Sequence, residues 1–323
     1  MTEILVAGET LIDLFPTDIG KLSEIEGFTH RPGGAPANVA VGLSRLGHPP
    51  RFWTRLATDP FGEFLADVLE REAIPSAHIQ QVDEGKTTLA VVSPRSDGEQ
   101  EFSFYRSGDA TFGFTEEEVT EKLLHGCSWF HFGGVTLTHP RGKRAMFELA
   151  SIARSNGCTV SFDLNLREDL ISDHSINTSI DDALALTDVV FCSPEDVAPI
   201  DIDVKSDKSL AESLVARGPH TAIVTLGDAG VLVTSSADAP WGAQSKRYPV
   251  FRTSVVDTTG AGDAFVAGTI TQLTDHWPDI DKVIPFASAA AALSISETGG
   301  MSALPYKQEV DEFLQRRSGE LFE

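Results

Sequence analysis

The residues best suited to chemistry stand in one short string, DTTGAGDAF, from Asp257 to Phe265. Gly260, Ala261 and Gly262 are small, so the backbone can approach a ligand closely and take dihedral angles closed to larger residues. A helical pattern, AFVAGTITQL, follows, which puts their amides at a helix N-terminus. Free N–H groups and the helix dipole attract an anion there. A carboxylate at Asp263 opposes an incoming phosphate. It makes sense as a base that takes the proton from a hydroxyl about to attack that phosphate. The alternative is an aspartate that only complements the dipole. The spacing is not a Walker loop, since no Gly-Lys-Ser/Thr follows the glycines. Nor is it the dinucleotide fingerprint, since it reads Gly-x-Gly-x-x-Phe.

A second cluster, RPGGAPANVAVGLSRLG, runs from Arg31 to Gly47. Gly33 and Gly34 open a turn whose backbone a small ligand can touch. Asn38, one turn into the next helix, offers a donor and an acceptor to hydroxyl groups. Read structurally, Gly-Gly-Ala-Pro is only a sharp turn.

The elements that must carry these residues alternate along the chain. Ile4 to Ala7 reads as a buried strand, and the apolar spacing from Ala37 to Leu46 predicts a helix closed by Gly47. WFHFGG (129–134), TVSFDLN (159–165), VVFCSP (189–194) and AIVTLG (222–227) read as strands, with a helix over 146–157. The apolar-rich stretch before Asp257 also reads as strand-like. Strands separated by helices predict a parallel sheet covered on both faces. Two segments break the rhythm. TTLAVVSP (87–94) and EQEFSFYR (99–106) alternate around a turn at Ser96-Asp97-Gly98, and Leu11 to Pro32 lacks a helical pattern. Both are expected in a small separate sheet that lies over the site as a lid.

Composition narrows the function. The 323 residues carry 48 acidic and 25 basic groups, a formal net charge of −23, with nine Lys against sixteen Arg. Such a surface excludes nucleic acid as a partner and is repelled by an anionic membrane. It suits high salt, where screening relieves repulsion, so a salt-loving source is expected. No apolar window is long enough to span a bilayer, and the N-terminus shows no export signal. Cys127, Cys158 and Cys192 read as buried, reduced thiols, which points to the cytoplasm. The nine histidines include no HxH or HExxH pair, so a metal hydrolase is not indicated.

The two glycine-bearing strings, in this order at opposite ends of the chain, resemble the signature regions of the ribokinase-like, or phosphofructokinase B, family of sugar kinases. GETLIDLFP (8–16), FYR (104–106), SFDLNLR (161–167), TLGDAG (225–230) and ASAAAALS (287–294) extend the similarity over nearly the whole chain. It implies a three-layer α/β/α doubly wound, mostly parallel sheet with a β lid. The catalytic domain is expected over 1–10, 33–83 and 111–323, and the lid over 11–32 and 84–110. The similarity also implies transfer of the ATP γ-phosphoryl group to a sugar hydroxyl. Asp263 then resembles the catalytic base, and the amides of Gly260, Ala261 and Gly262 the anion hole. Asp13, Gly33, Gly34 and Asn38 match sugar-binding positions. Thr225, Gly227 and Gly230 match the nucleotide loop, and Ala289 to Ala292 the adenine-lining helix.

One departure concerns the metal. The family's Asn-x-x-Glu motif is replaced by Ser193-Pro194-Glu195-Asp196, so either Glu195 or Asp196 is expected to assist Mg²⁺, through water. Asp257 and the Thr259 carbonyl are candidates for a K⁺ site. The sugar-facing strings look most like fructokinases, with Arg106 and Arg167 as substrate donors and Asp163 and Asn165 orienting their loop. The alternative is 2-keto-3-deoxygluconate kinase, whose acidic substrate also suits two arginines. A nucleoside kinase and a non-catalytic sugar-binding homologue rank lower. A homodimer formed through the lid is expected.

Overall fold

The computed structural model describes residues 3–18, 22–94, 100–108, 110–171, 175–202, 204–275 and 279–317. In chain order, β1 (Glu3–Ala7), β2 (Leu11–Pro16) and β3 (Phe28–Gly33) lead into α1 (Ala35–Arg45). Next come β4 (Arg51–Ala57), α2 (Pro60–Arg71), β5 (Ile79–Val82), β6 (Gly85–Pro94) and β7 (Gln100–Gly108). The short α3 (Glu121–Leu124) precedes β8 (Cys127–Gly133), α4 (Pro140–Ser155), β9 (Thr159–Asp163), α5 (Ser175–Ala185) and β10 (Val189–Cys192). There follow α6 (Asp207–Val215), β11 (Thr221–Thr225), β12 (Val231–Ser235), β13 (Gln244–Tyr248), α7 (Ala261–Asp275), α8 (Ile280–Ser294) and α9 (Lys307–Arg317).

Among the described residues nine strands form one sheet in the order β13-β12-β11-β10-β9-β8-β1-β4-β5. Every pairing from β5 to β11 is parallel, and β12 and β13 add an antiparallel edge. The short apolar runs become buried strands because both faces are covered. Ile4 and Val6 of β1 enter one apolar cluster, with residues of α1, α2, α7 and α8. Leu5 and Ala7 enter the opposite cluster, with residues of α4, α5 and α6. Each Val, Leu or Ile buried in this way contributes roughly 1.5–3 kcal/mol. The result is the three-layer, mostly parallel arrangement expected from the sequence.

The stretch before Asp257 departs from expectation. Residues 249–256 form no strand, and Val255 and Val256 are 63% and 59% exposed. The sheet has already ended at β13, so this stretch has no partner. Its end is tied down differently, with the amides of Val256 and Asp257 donating to the Ile295 carbonyl just past α8 at 2.8 and 3.3 Å. Cys158 and Cys192 are buried, but Cys127 is only half-buried; all three thiols are unpaired.

A second sheet has the order β3-β2-β6-β7, with β2 and β6 parallel and the outer pairs antiparallel. The turn expected at Ser96-Asp97-Gly98 lies outside the described residues, although β6 and β7 on either side pair as a hairpin. Its root is held to the body of the protein. Asp59, which caps α2, accepts from the Gly62 and Thr87 amides at 2.9 and 2.8 Å and from the Thr87 hydroxyl at 2.7 Å. Arg55, only 2% exposed, reaches Glu84 at 2.7 Å and Glu118 at 2.5 Å. Gly85 and Gly108 sit directly opposite each other, and a Cβ on either would lie 2.8 Å from the partner's Cα.

Helix α7 takes its position from α8, and small residues make the contact possible. A Cβ at Gly268 would lie 2.9 Å from the Ala287 Cα. Replacing Gly268 with Leu must push the helices apart, at a cost of about 1–3 kcal/mol. The expected outcome is a lower denaturation midpoint with unchanged secondary structure, measured by urea titration followed by circular dichroism.

Candidate active site

The C-terminal ends of β1, β9, β10 and β11 and the start of α7 surround a cleft of about 660 Å³. That is ample for a metabolite-sized ligand, and strand C-termini are where doubly wound sheets bind them. Asp263 lies in the first turn of α7, buried, and its Oδ2 accepts from Asn38 Nδ2 on α1 at 2.7 Å. The Asn38 Oδ1 atom is buried and has no protein hydrogen-bond partner. A buried acceptor left unsatisfied is costly, and a ligand hydroxyl in the cleft would relieve it.

The loop before Asp263 is fixed by backbone packing. Gly260 has φ +78°, and a Cβ there would lie 2.9 Å from the Gly300 Cα. Asp257 clamps the same loop: Oδ1 accepts from the Thr259 amide at 2.9 Å and hydroxyl at 2.6 Å, and Oδ2 from the Gly299 amide at 2.8 Å. Gly260 and Gly262 line the cleft. The Ala261 amide already donates to the Thr258 carbonyl at 3.2 Å; the other N–H groups at this helix start can take up an anion.

The opposite wall comes from the segment around β2. Glu9, Leu11 and Asp13 all face the cleft, as does Gly34. Gly33 packs behind, where a Cβ would lie 2.1 Å from the Asp13 Oδ2. Gly34 has φ +102°, and a Cβ there would lie 2.6 Å from the Glu9 carbonyl oxygen. Asp163 at the end of β9, Asn165 and Arg167 line the floor, with Ser193, Glu195 and Asp196 after β10. Asn165 adopts φ +31°, which helps the chain turn between Asp163 and Arg167. Asp196 accepts from the Ser193 amide at 2.7 Å and hydroxyl at 2.8 Å.

Five acidic groups thus share one poorly solvated space. Loss of water raises Asp263 to about 6 and Glu9 and Asp13 each to about 7. Burial also raises Asp163, with Asp196 and Asp263 adding to the shift, and burial raises Asp196. Among the described residues Arg167 is the one cationic side chain lining the cleft, and its charge pulls all five back down. Its guanidinium lies 4.9 Å from the centre of the Phe102 ring on β7, so it spans the cleft floor and the smaller sheet.

The structure does not bring every expected residue into the cleft. Arg106 is exposed, its guanidinium 5.4 Å over the Phe112 ring, so it does not line the cavity. Ala289 and Ala292 are buried in the apolar cluster that includes α7, because α8 turns its small residues inward. Thr225 and Gly227 line the cleft, whereas Gly230 serves the turn into β12, where a Cβ would lie 2.1 Å from the Tyr248 carbonyl oxygen. Ala261 and Asp257 do not line the cleft, though Thr259 does. Sequence reasoning passed over Glu9, Phe102 and Phe104, all of which face the cavity. Alternation along GETLID and EFSFYR was the available signal.

The chain belongs to the pfkB family of carbohydrate kinases, whose model matches residues 1–307. It is 34% identical over 324 residues to a probable fructokinase-3 from Arabidopsis thaliana, covering 97% of this chain and 91% of that one. It is 32% identical over 315 residues to a fructokinase from Escherichia coli, covering 96% and 98%. Among solved structures, a fructokinase with bound ATP from Xylella fastidiosa matches with a TM-score of 0.86 at 29% identity, covering 98% of this chain and 99% of that one.

A proton acceptor at Asp263 works only when ionised. Its raised pKa means the active form is present above about 6 and is lost as pH falls through that value. The acid limb of kcat/KM is therefore expected near pH 6 or above, since Glu9 and Asp13 titrate nearby. Removing the Arg167 charge lifts a lowering influence, so an Arg167→Gln variant is expected to show that limb displaced to higher pH. An unmoved limb in a pH–rate profile would contradict this electrostatic role.

Proposed function

We propose that the protein is an ATP-dependent fructokinase, with Asp263 as base and the cleft-lining amides of Gly260 and Gly262 as anion hole. The observation that carries the choice of sugar is the charge of the cleft. Among the described residues six carboxyl groups face a single guanidinium, which favours a neutral polyol over an acidic sugar. A 2-keto-3-deoxygluconate kinase reading needs arginines free for a carboxylate, and Arg106 rests outside on Phe112. The fructokinase names of the relatives over nearly the full chain support the same reading.

In this mechanism Asp13, Gly33, Gly34 and Asn38 hold the sugar, with Asn38 Oδ1 accepting a hydroxyl. The Asn38 amide also fixes the Asp263 carboxylate, so one side chain orients both base and substrate. Asp163 and Asn165 shape the floor and present Arg167. Asp263 takes the hydroxyl proton as that oxygen attacks the γ-phosphorus of ATP, and the bond to the β-phosphate oxygen breaks. The α7 amides meet the negative charge carried by the transferring group. Thr225 and Gly227, which line the cleft, form the loop beside the nucleotide phosphates.

Glu195 and Asp196 fit Mg²⁺ by their hard oxygen donors. Asp196 is already bonded to Ser193, which leaves Glu195 freer for metal-bound water. Among the described residues no three His, Cys, Asp or Glu side chains converge to hold a metal unaided, which suits an ion held mainly by phosphates and water. When bound, Mg²⁺ would offset charge on the β- and γ-phosphates. K⁺ beside Asp257 and Thr259 belongs to the same proposal and would brace the clamped loop.

The smaller sheet, over 11–32 and 84–110, acts as the lid of a catalytic domain formed by 1–10, 33–83 and 111–323. Its closure over sugar and ATP excludes water. Its edge strands β3 and β7 expose Phe28 and Tyr105, and they form the contact of a homodimer. The enzyme is read as cytoplasmic, a reading supported by three thiols without a disulfide and by its need for ATP.

The deciding assay couples ATP consumption with Mg²⁺ and KCl to fructose, 2-keto-3-deoxygluconate, ribose and adenosine. Fructose is expected to turn over fastest, and preference for the keto acid would overturn the sugar assignment. Asp263→Asn is expected to lower kcat by about 10²–10⁴-fold with little change in ATP binding, whereas near-normal turnover would remove its role as base.

The −23 formal charge leads to a second expectation. Raising KCl from about 0.1 to 1 M shortens the screening length from roughly 10 to 3 Å. A salt-adapted protein is expected to gain thermal stability and activity over that range. Equal melting temperatures and rates in both buffers would count against salt adaptation.

A further inference from the structure

We infer that Glu9 is a second sugar-contacting carboxyl, which with Asp13 selects the hydroxyl pattern of the substrate; the inference rests on the fructose reading above. Glu9, Leu11 and Asp13 follow one another at alternate positions and all three face the cleft. The wall they make is acidic, apolar, acidic. A sugar ring offers the complement, with hydroxyls at its edges and C–H groups between them.

Glu9 is held too firmly, and at too great a cost, for a group that only fills space. It is 1% exposed, and its Oε2 accepts from the Thr136 hydroxyl at 2.8 Å. Its backbone is gripped on both sides. A Cβ at Gly8 would lie 2.4 Å from Pro36 Cγ, and one at Gly34 would lie 2.6 Å from the Glu9 carbonyl oxygen. Two glycine-only positions therefore fix where the carboxyl points. For the fold alone, a glutamine would satisfy Thr136 without the desolvation cost of an acid beside Asp263. That cost is explained when the acid bonds a ligand hydroxyl, since hydrogen bonds to charged groups are the stronger ones. Asp263 then works on one end of the sugar while Glu9 and Asp13 fix which face it presents.

The test is a comparison of fructose with its mono-deoxy analogues in the unmodified protein and in Glu9→Gln, with kcat and KM measured separately. In the unmodified protein, loss of the hydroxyl that meets Glu9 is expected to lower kcat/KM by at least about tenfold. In Glu9→Gln that single penalty is expected to shrink toward unity, with the other deoxy penalties and the KM for ATP retained. A purely structural role would instead change stability and move all substrates together. Identical deoxy penalties in the two proteins would overturn the inference. Should Glu9→Gln fail to fold, Thr136→Val keeps the acid but frees it. It is expected to soften the same single penalty, and an unchanged pattern overturns the inference as well. Absence of fructose turnover by the unmodified protein would instead overturn the substrate reading, a separate failure seen before any variant is made.

Discussion

Gathering acids away from water is the constraint on which the rest of this structure turns. Glu9, Asp13, Asp163, Asp196 and Asp263 arrive from four different parts of the chain, and each is raised chiefly by loss of solvent. Separate groups on a surface would relax apart. These cannot, because strand ends and a helix start hold them, and both are anchored in the apolar clusters on either face of the sheet. The body of the protein therefore supplies stability that the cleft gives up, a common relation between scaffold and site.

Arg167 gains importance from that setting. It is one guanidinium among many carboxyls, and it also stacks on Phe102 of the smaller sheet. Movement of that sheet would move the ring that supports the cation, and so alter the field at Asp263. The loop around Gly260 also borders the smaller sheet, because Arg31 of β3 packs against Gly299. It is held by Asp257, Gly299 and Gly300, all on the body side of the cleft.

Much of this was legible in the residues. The parallel sheet followed from short apolar runs separated by helices, and the acid at the start of α7 from its conflict with an anion site. The smaller sheet was readable from the alternation in TTLAVVSP and EFSFYR. The antiparallel edge formed by β12 and β13 was not anticipated, because strands of five residues carry little periodic signal. The stretch before Asp257 misled because apolar residues there suggest a strand, while strand formation depends on a free sheet edge that only the fold can supply. Arg106 and Ala289 were placed by resemblance. Their burial and direction depend on neighbours, Phe112 and α7, that lie far away in sequence or on another element. Glu9 shared a strip with Asp13, but a lone acid gives no sign of its solvent access.

The facing glycines at the root of the hairpin, Gly85 and Gly108, carry an evolutionary consequence. With no side chains between them the two strands meet backbone to backbone there, and Arg55 at Glu84 and Asp59 at Thr87 tie the chain to the body on either side of the joint. Changes beyond the joint, at Phe102 and Phe104 for example, can reshape one wall of the cavity without disturbing the sheet or the helix that carries Asp263. A lineage built on this plan can vary its substrate range through one appendage while leaving its chemistry intact. That is a physical basis for divergence by exchange of a module rather than by rebuilding the core.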